Sequence, residues 1–70
     1  MNALHATLTR TYRGEPLAVV DGLPGGGAEL MPAQLRALAA TLLHIADDCE
    51  ARPAPKKRPL PPTRREYLVA

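Results

Sequence analysis

The longest regular pattern of this chain lies in residues 32–51, which read PAQLRALAATLLHIADDCEA. Apolar residues recur there at steps of three and four, the spacing of one face of an α-helix. Pro32 suits the first helical position, and Pro53 excludes its predecessor from the α region. The pattern therefore predicts a helix from Pro32 to about Ala51.

The start of this helix carries one favourable and one unfavourable signal. Gln34 lies three residues after the cap position, as in a capping box. Met31 occupies the cap position itself, and its side chain has no oxygen to accept a backbone N–H. We expect a helix that begins without a side-chain cap.

A narrow apolar stripe follows the helix at steps of three, four, three and four, which suits a seam between helices. It consists of Leu35, Leu38, Leu42, Ile45 and Cys49. The stripe covers a sheet of its own chain, or it pairs with a second copy, or it does both. Chains of this size rarely bury enough apolar surface alone. We therefore predict a homodimer in which this stripe is the core or dimer seam.

Two short strands precede the helix. Residues 4–12 alternate between apolar and polar side chains, as a half-buried strand does. Residues 13–16, Arg-Gly-Glu-Pro, form a turn, and residues 17–20 are a second β-compatible run. After a glycine-rich loop, residues 28–30 are a candidate for a short third strand. The fold class is α+β, a small ββα unit.

Charge divides the chain into two parts. Residues 1–50 contain three basic and six acidic residues, a net charge of −3, whereas residues 51–70 contain six basic and one acidic residue, a net charge of +5. Five of the eight prolines lie in the basic part, where they block helix formation. We predict a ββα body at residues 1–51 and an extended, proline-rich basic tail at residues 52–70.

The tail holds the candidate binding residues. Basic side chains attract phosphates, and an aromatic side chain stacks on a base or fills a pocket in a partner. The candidates for contact with a partner or a nucleic acid are Lys56, Lys57, Arg58, Arg64, Arg65 and Tyr67. A tail that only solvates the protein is the alternative. The β-prone residues 66–70 are expected to add a strand to a sheet edge in this molecule, in its dimer mate or in a partner.

No set of residues for catalysis or metal binding stands out in the sequence. His44 and Cys49 are too few ligands for a structural zinc site. Cys49 lies on the apolar stripe, where a thiol behaves as a small hydrophobe rather than as a nucleophile. We expect a protein that is not an enzyme and needs no cofactor.

The N-terminal residues contain no unbroken apolar segment of the length that a signal peptide needs. No stretch approaches the roughly 20 apolar residues that span a bilayer. The single cysteine cannot form an internal disulfide. We expect a cytoplasmic protein without a membrane partner.

The Ala- and Leu-rich residues 28–40, AELMPAQLRALAA, and residues 64–67, RREY, resemble small accessory proteins of bacterial phages and integrative elements. The resemblance implies a role in genetic conflict or element maintenance, in which small proteins act by binding. Two hypotheses follow. One is a dimeric module that inhibits or redirects a host or element protein, of which anti-defence proteins are an instance. The other is a regulator that binds nucleic acid through the basic tail.

Overall fold

The computed structural model describes residues 3–52 and 61–69. It contains strand β1 (Ala3–Arg10), strand β2 (Pro16–Asp21), helix α1 (Pro32–Ala51) and strand β3 (Thr63–Leu68). The strands form one antiparallel sheet in the order β2-β1-β3. The predicted α+β class, the hairpin and the helix are confirmed.

β1 is the central strand, and its alternation decides which side of the sheet α1 covers. Leu4, Ala6 and Leu8 are fully buried, whereas the residues between them are half-buried on the opposite, open face. Successive side chains of a strand point to opposite faces, so these three residues form one row beneath the helix. The predicted alternation is correct from residue 4 to residue 8.

The register of β2 and β3 against β1 determines which of their residues lie on the side of the sheet that faces α1. Leu8 lies opposite Ala18 of β2, and Leu4 lies opposite Tyr67 of β3. Within residues 3–52 and 61–69, the buried hydrophobic residues form a single cluster under α1, which comprises Leu4, Ala6, Leu8, Ile45, Cys49, Tyr67 and Val69. Among the residues that the structure describes, only Leu4 and Leu8 are large side chains that are fully buried. The core of this fold is therefore small.

α1 begins and ends where the sequence predicts. The Gln34 side-chain Oε1 accepts a hydrogen bond of 2.7 Å from the Met31 N–H. The Met31 carbonyl accepts the first helical bond from the Leu35 N–H at 3.0 Å. At the other end Arg52 is extended, with φ −63° and ψ 134°, as the residue before a proline must be.

The structure changes two of the predicted strands. Residues 28–30 form no strand. β1 ends at Arg10 rather than at Tyr12, because hydrogen bonds close a loop over residues 11–15. The Gly14 N–H donates to the Thr11 carbonyl, and Gly14 adopts φ 85°, a conformation that only glycine adopts without strain.

The sheet also extends into the predicted tail. Thr63–Leu68 pairs with β1 along its length, from Leu8↔Thr63 to Ala3↔Leu68. The strand predicted near the C terminus therefore joins the sheet of its own molecule. The end of the basic part therefore belongs to the folded body. The charge pattern alone limits that body to residues 1–51. Residues 53–60, which include Lys56, Lys57 and Arg58, lie outside the described residues.

Candidate functional site

The predicted apolar stripe of α1 divides between the core and the surface. Ile45 and Cys49 are buried against the sheet, and Leu38 is half-buried beside them. Leu35 and Leu42 are exposed. The helix face toward the sheet is centred on Thr41, Ile45 and Cys49, so the stripe serves its own core in part and leaves two leucines uncovered.

A second apolar strip lies on the uncovered side of α1. We call it the exposed flank, and it consists of Leu35, Ala39, Leu42, Leu43 and Ala46. Leu35 is 51% exposed and Leu43 is 68% exposed. At about 100° per residue these five side chains fall within an arc of about 100°. The centre of the flank is roughly 110° away from Ile45.

The opposite side of α1 carries a polar cluster around Asp48. The Tyr67 hydroxyl donates a hydrogen bond of 2.8 Å to Asp48 Oδ2, and Arg65 Nη1 lies 3.3 Å from the same oxygen. His44 Nε2 is 3.6 Å from Asp48 Oδ2, and its ring meets the Tyr67 ring edge-on at 5.5 Å between centroids. The cluster lines an open cleft of about 510 Å³ and ties β3 to α1.

Burial raises the pKa of the Tyr67 phenol above its ordinary value, and the hydrogen bond to Asp48 and the negative charge of that carboxylate raise it further. Arg65 opposes this shift with its positive charge. Tyr67 is therefore held neutral, as a donor to Asp48.

Raising the pH above about 10 is expected to destabilise the fold through Tyr67. The contribution of the neutral phenol is complete below the unfolded pKa and is lost as the pH rises through the higher folded pKa. Tyr67→Phe is expected to cost about 1.5 kcal/mol at neutral pH, the value of a hydrogen bond to a charged group. It should also remove this alkaline loss. Urea unfolding at neutral and alkaline pH measures both effects, and parallel pH profiles for the two proteins would contradict the assignment.

Of the predicted tail residues, the structure describes Arg64, Arg65 and Tyr67, and these three do not share one surface. Tyr67 is 7% exposed, so its ring is not free to stack on a base. Arg65 contacts Asp48, whereas Arg64 is exposed. Arg64 lies on the open face, since its register partner on β1 is Thr7. The sequence assigned Tyr67 and Arg65 to binding because it did not reveal that Asp48 is their partner.

The hairpin loop at residues 11–15 presents the other tyrosine to solvent. Tyr12 is 93% exposed. Arg13 Nε donates to the Tyr12 hydroxyl at 3.2 Å, and the guanidinium lies 5.6 Å from the ring centroid. The sequence placed Tyr12 on the apolar face of the first strand. The Arg-Gly-Glu-Pro turn that follows was the signal that the alternation stops.

Two sets of hydrogen bonds hold the same loop. One set lies within residues 11–15, and the Arg10 side chain donates the other. The Thr11 N–H donates to the Glu15 carbonyl at 2.8 Å, and the Glu15 N–H donates to Thr11 Oγ1 at 3.1 Å. Arg10 donates to the Gly14 carbonyl at 2.5 Å and to the Arg52 carbonyl at 3.1 Å. The loop is therefore fixed to the end of α1 while Tyr12 projects from it.

The open face of the sheet carries both apolar and charged side chains. Leu17, Val19 and Leu68 are exposed there. In the middle strand, His5 Nε2 lies 3.4 Å from Glu66 Oε2. Within the described residues, neither ring nitrogen of His5 makes a hydrogen bond.

Residues 3–52 and 61–69 contain no group of three or more His, Cys, Asp or Glu side chains that is arranged to hold a metal ion. Cys49 is a buried free thiol of the core. His44 contacts Asp48 rather than Cys49. Cys49 therefore packs in the core, and His44 contacts Asp48 and Tyr67 of the polar cluster.

A bilayer-spanning helix needs about 20 predominantly apolar residues, and no helix in the described part of the chain meets that requirement. Comparison with protein-family models, with curated proteins and with solved structures finds no match to this chain.

Proposed function

We propose that this chain is a non-enzymatic protein-binding module that works as a homodimer. Its task is to inhibit or redirect a host or element protein on behalf of a mobile genetic element. An anti-defence role in the cytoplasm is one form of this task. The hairpin loop is the part that contacts the target.

The observation that carries the proposal is the exposure of Tyr12 on a loop that is itself fixed. Tyr12 is one of only two aromatic residues in the chain, and it contributes nothing to the buried core. Tyrosine and arginine are the residue types that dominate binding energy at protein interfaces. Because the loop is held by hydrogen bonds at Thr11 and Gly14, little conformational entropy is lost when Tyr12 enters a pocket.

The chemistry around Tyr12 indicates what the target pocket contains. The phenol ring needs an apolar pocket, and Arg13 beside it provides a positive charge at the rim. Arg10 is engaged by two carbonyl oxygens, so Arg13 is the cation of the loop that is available to a partner. We expect an apolar pocket with a carboxylate at its edge.

A regulator that binds nucleic acid is the alternative, and the sequence of the basic part supports it. Several arginines of the described residues are engaged within the chain. Arg65 pairs with Asp48, and Arg52 donates to the Pro61 carbonyl at 2.9 Å. Glu15 also lies in the hairpin loop, where its negative charge disfavours phosphate. These contacts favour a protein target.

Tyr12→Ala is expected to weaken target binding by about 30-fold, the loss of a typical hot-spot side chain, without changing stability. The full chain is immobilised and incubated with a bacterial lysate, and the retained proteins are titrated for each variant. Tyr12→Phe keeps the ring and is expected to retain most of the binding. Met31→Ala removes an exposed side chain elsewhere and serves as the matched control.

Two outcomes would contradict the proposal. One is recovery of the same proteins at the same apparent affinity by the Tyr12→Ala variant. The other is recovery of nucleic acid alone, in amounts that fall steeply with salt, which would support the alternative function.

A further inference from the structure

The exposed flank of α1 has the spacing of an interhelical seam. Leu35, Ala39, Leu42 and Ala46 recur at steps of four, three and four, which is the a/d spacing of helices that pair side by side. All four are exposed, as is Leu43 next to them. The side chains that pack on the sheet are a different set, centred on Ile45. The helix therefore has one apolar face in the core and another that no described residue covers.

Charged residues border the exposed flank with opposite signs at its two ends. Arg36 lies near the start of α1, and Asp47 and Glu50 lie near its end. At about 100° per residue these three side chains point within about 60° of one another. Within the described residues, none of the three belongs to an ion pair. An antiparallel copy of the same helix would bring the two ends, and so the opposite charges, together.

We propose that the exposed flank binds a second copy of this chain, with the two α1 helices antiparallel about a two-fold axis that passes between Leu42 and Leu43. This geometry rests on the homodimeric part of the proposed function. Leu42 of each copy then lies beside Leu43 of the other, and Ala39 lies beside Ala46. Arg36 of each copy reaches the height of residue 49 of the other, between Asp47 and Glu50.

Three physical features favour this occupant and this orientation. A two-fold interface must be self-complementary, and the flank is complementary to itself only when the helices are antiparallel. The paired alanines are small enough for close approach of the helices, and the leucines fill the centre. The dipoles of two antiparallel helices also point in opposite directions, which makes their interaction favourable. The polar cluster at Asp48 is on the other side of α1 and stays outside the interface.

The test uses two charge reversals, Arg36→Glu and Glu50→Arg, in the full chain. Each reversal turns two symmetry-related attractive contacts into repulsive ones. We expect each single variant to raise the dimer dissociation constant by about 30-fold. An equimolar mixture of the two variants should restore the dimer, because a mixed pair places glutamate against arginine at both ends.

The variants are designed so that loss of the dimer is not loss of the fold. Glutamate near the start of a helix and arginine near its end both interact favourably with the helix dipole and stabilise the helix. In α1 the first turn has no acidic residue and the last turn has no basic residue. Circular dichroism should therefore show the wild-type helix content. Arg64→Glu reverses the charge of an exposed arginine on the open face of the sheet, away from α1. It is the control and should leave the dimer intact.

Sedimentation velocity over a concentration series separates the outcomes. A wild-type chain that stays monomeric at high micromolar concentration overturns the geometry and the homodimeric part of the proposed function, while binding through Tyr12 is judged by its own experiment. A wild-type dimer that neither reversal weakens, or a mixture that fails to recover, overturns the antiparallel helix pair but leaves a dimer through another surface.

Discussion

Ending the chain after Pro62, so that β3 is missing, is expected to abolish the cooperative fold. The deletion removes Tyr67 and Val69 from the core, in which the described part of the chain has seven buried hydrophobic residues. Burial of such side chains contributes about 1.5–3 kcal/mol each. A chain of this size gains only about 3–5 kcal/mol from its core. The deletion also exposes the outer edge of β1 and removes the Tyr67–Asp48 link to α1.

Far-ultraviolet circular dichroism and urea unfolding measure this loss. A synthetic peptide of residues 61–70 added to the shortened chain should restore helix content. The pairing of β3 with β1 does not require the two strands to belong to one continuous chain. The same peptide with Tyr67→Ala should restore much less. If the shortened chain unfolds cooperatively at the wild-type urea concentration, residues 63–69 form an appendage and the body ends at residue 51, as the charge pattern alone indicates.

The sequence predicts the parts of this fold that depend on local physics. Pro32 is the first residue of the helix, and Pro53 keeps Arg52 out of the α region. The alternation from Leu4 to Leu8 defines one face of a strand. These signals act over a few residues and need no knowledge of the partner element. The hairpin follows from them, because the predicted four-residue turn, like the five-residue loop between β1 and β2, is too short for any other connection between two strands.

The sequence does not predict which long-range partners these elements choose. Residues 63–68 combine strong charge with β-prone residues, and only the register against β1 shows that Tyr67 faces the helix while Arg64 faces the open side. Asp48 looks like a solvated residue of the helix surface until Tyr67 and Arg65 are placed against it. Binding residues were therefore assigned by type, and one of them is a core residue.

The apolar stripe shows the same limit within a single helix. Residues spaced by steps of three and four can lie on more than one face of a helix, and α1 has two adjacent apolar faces. The sheet covers the one at Thr41, Ile45 and Cys49. The exposed flank shares Leu35 and Leu42 with the predicted stripe, so the predicted seam combined side chains of both faces.

Leu8→Ala is expected to be the most destabilising single truncation in the sheet, at about 3 kcal/mol. Leu8 is fully buried in the central strand, with Ala18 and Thr63 as its cross-strand neighbours. Both neighbours are smaller than leucine, so neither fills the space that the lost side chain leaves. Leucine-to-alanine changes in such sites cost about 2–5 kcal/mol, because the lost transfer energy adds to that of the cavity.

Leu68→Ala is the matched control, since it removes the same atoms from a strand position that is 76% exposed. It is expected to change stability by less than about 0.5 kcal/mol. Urea unfolding of both variants at one protein concentration makes the comparison, because the stability of the homodimer that we propose would depend on concentration. A Leu8→Ala loss as small as that of Leu68→Ala would mean that the row beneath α1 is not the core. The stability of the chain would then come mainly from association of copies.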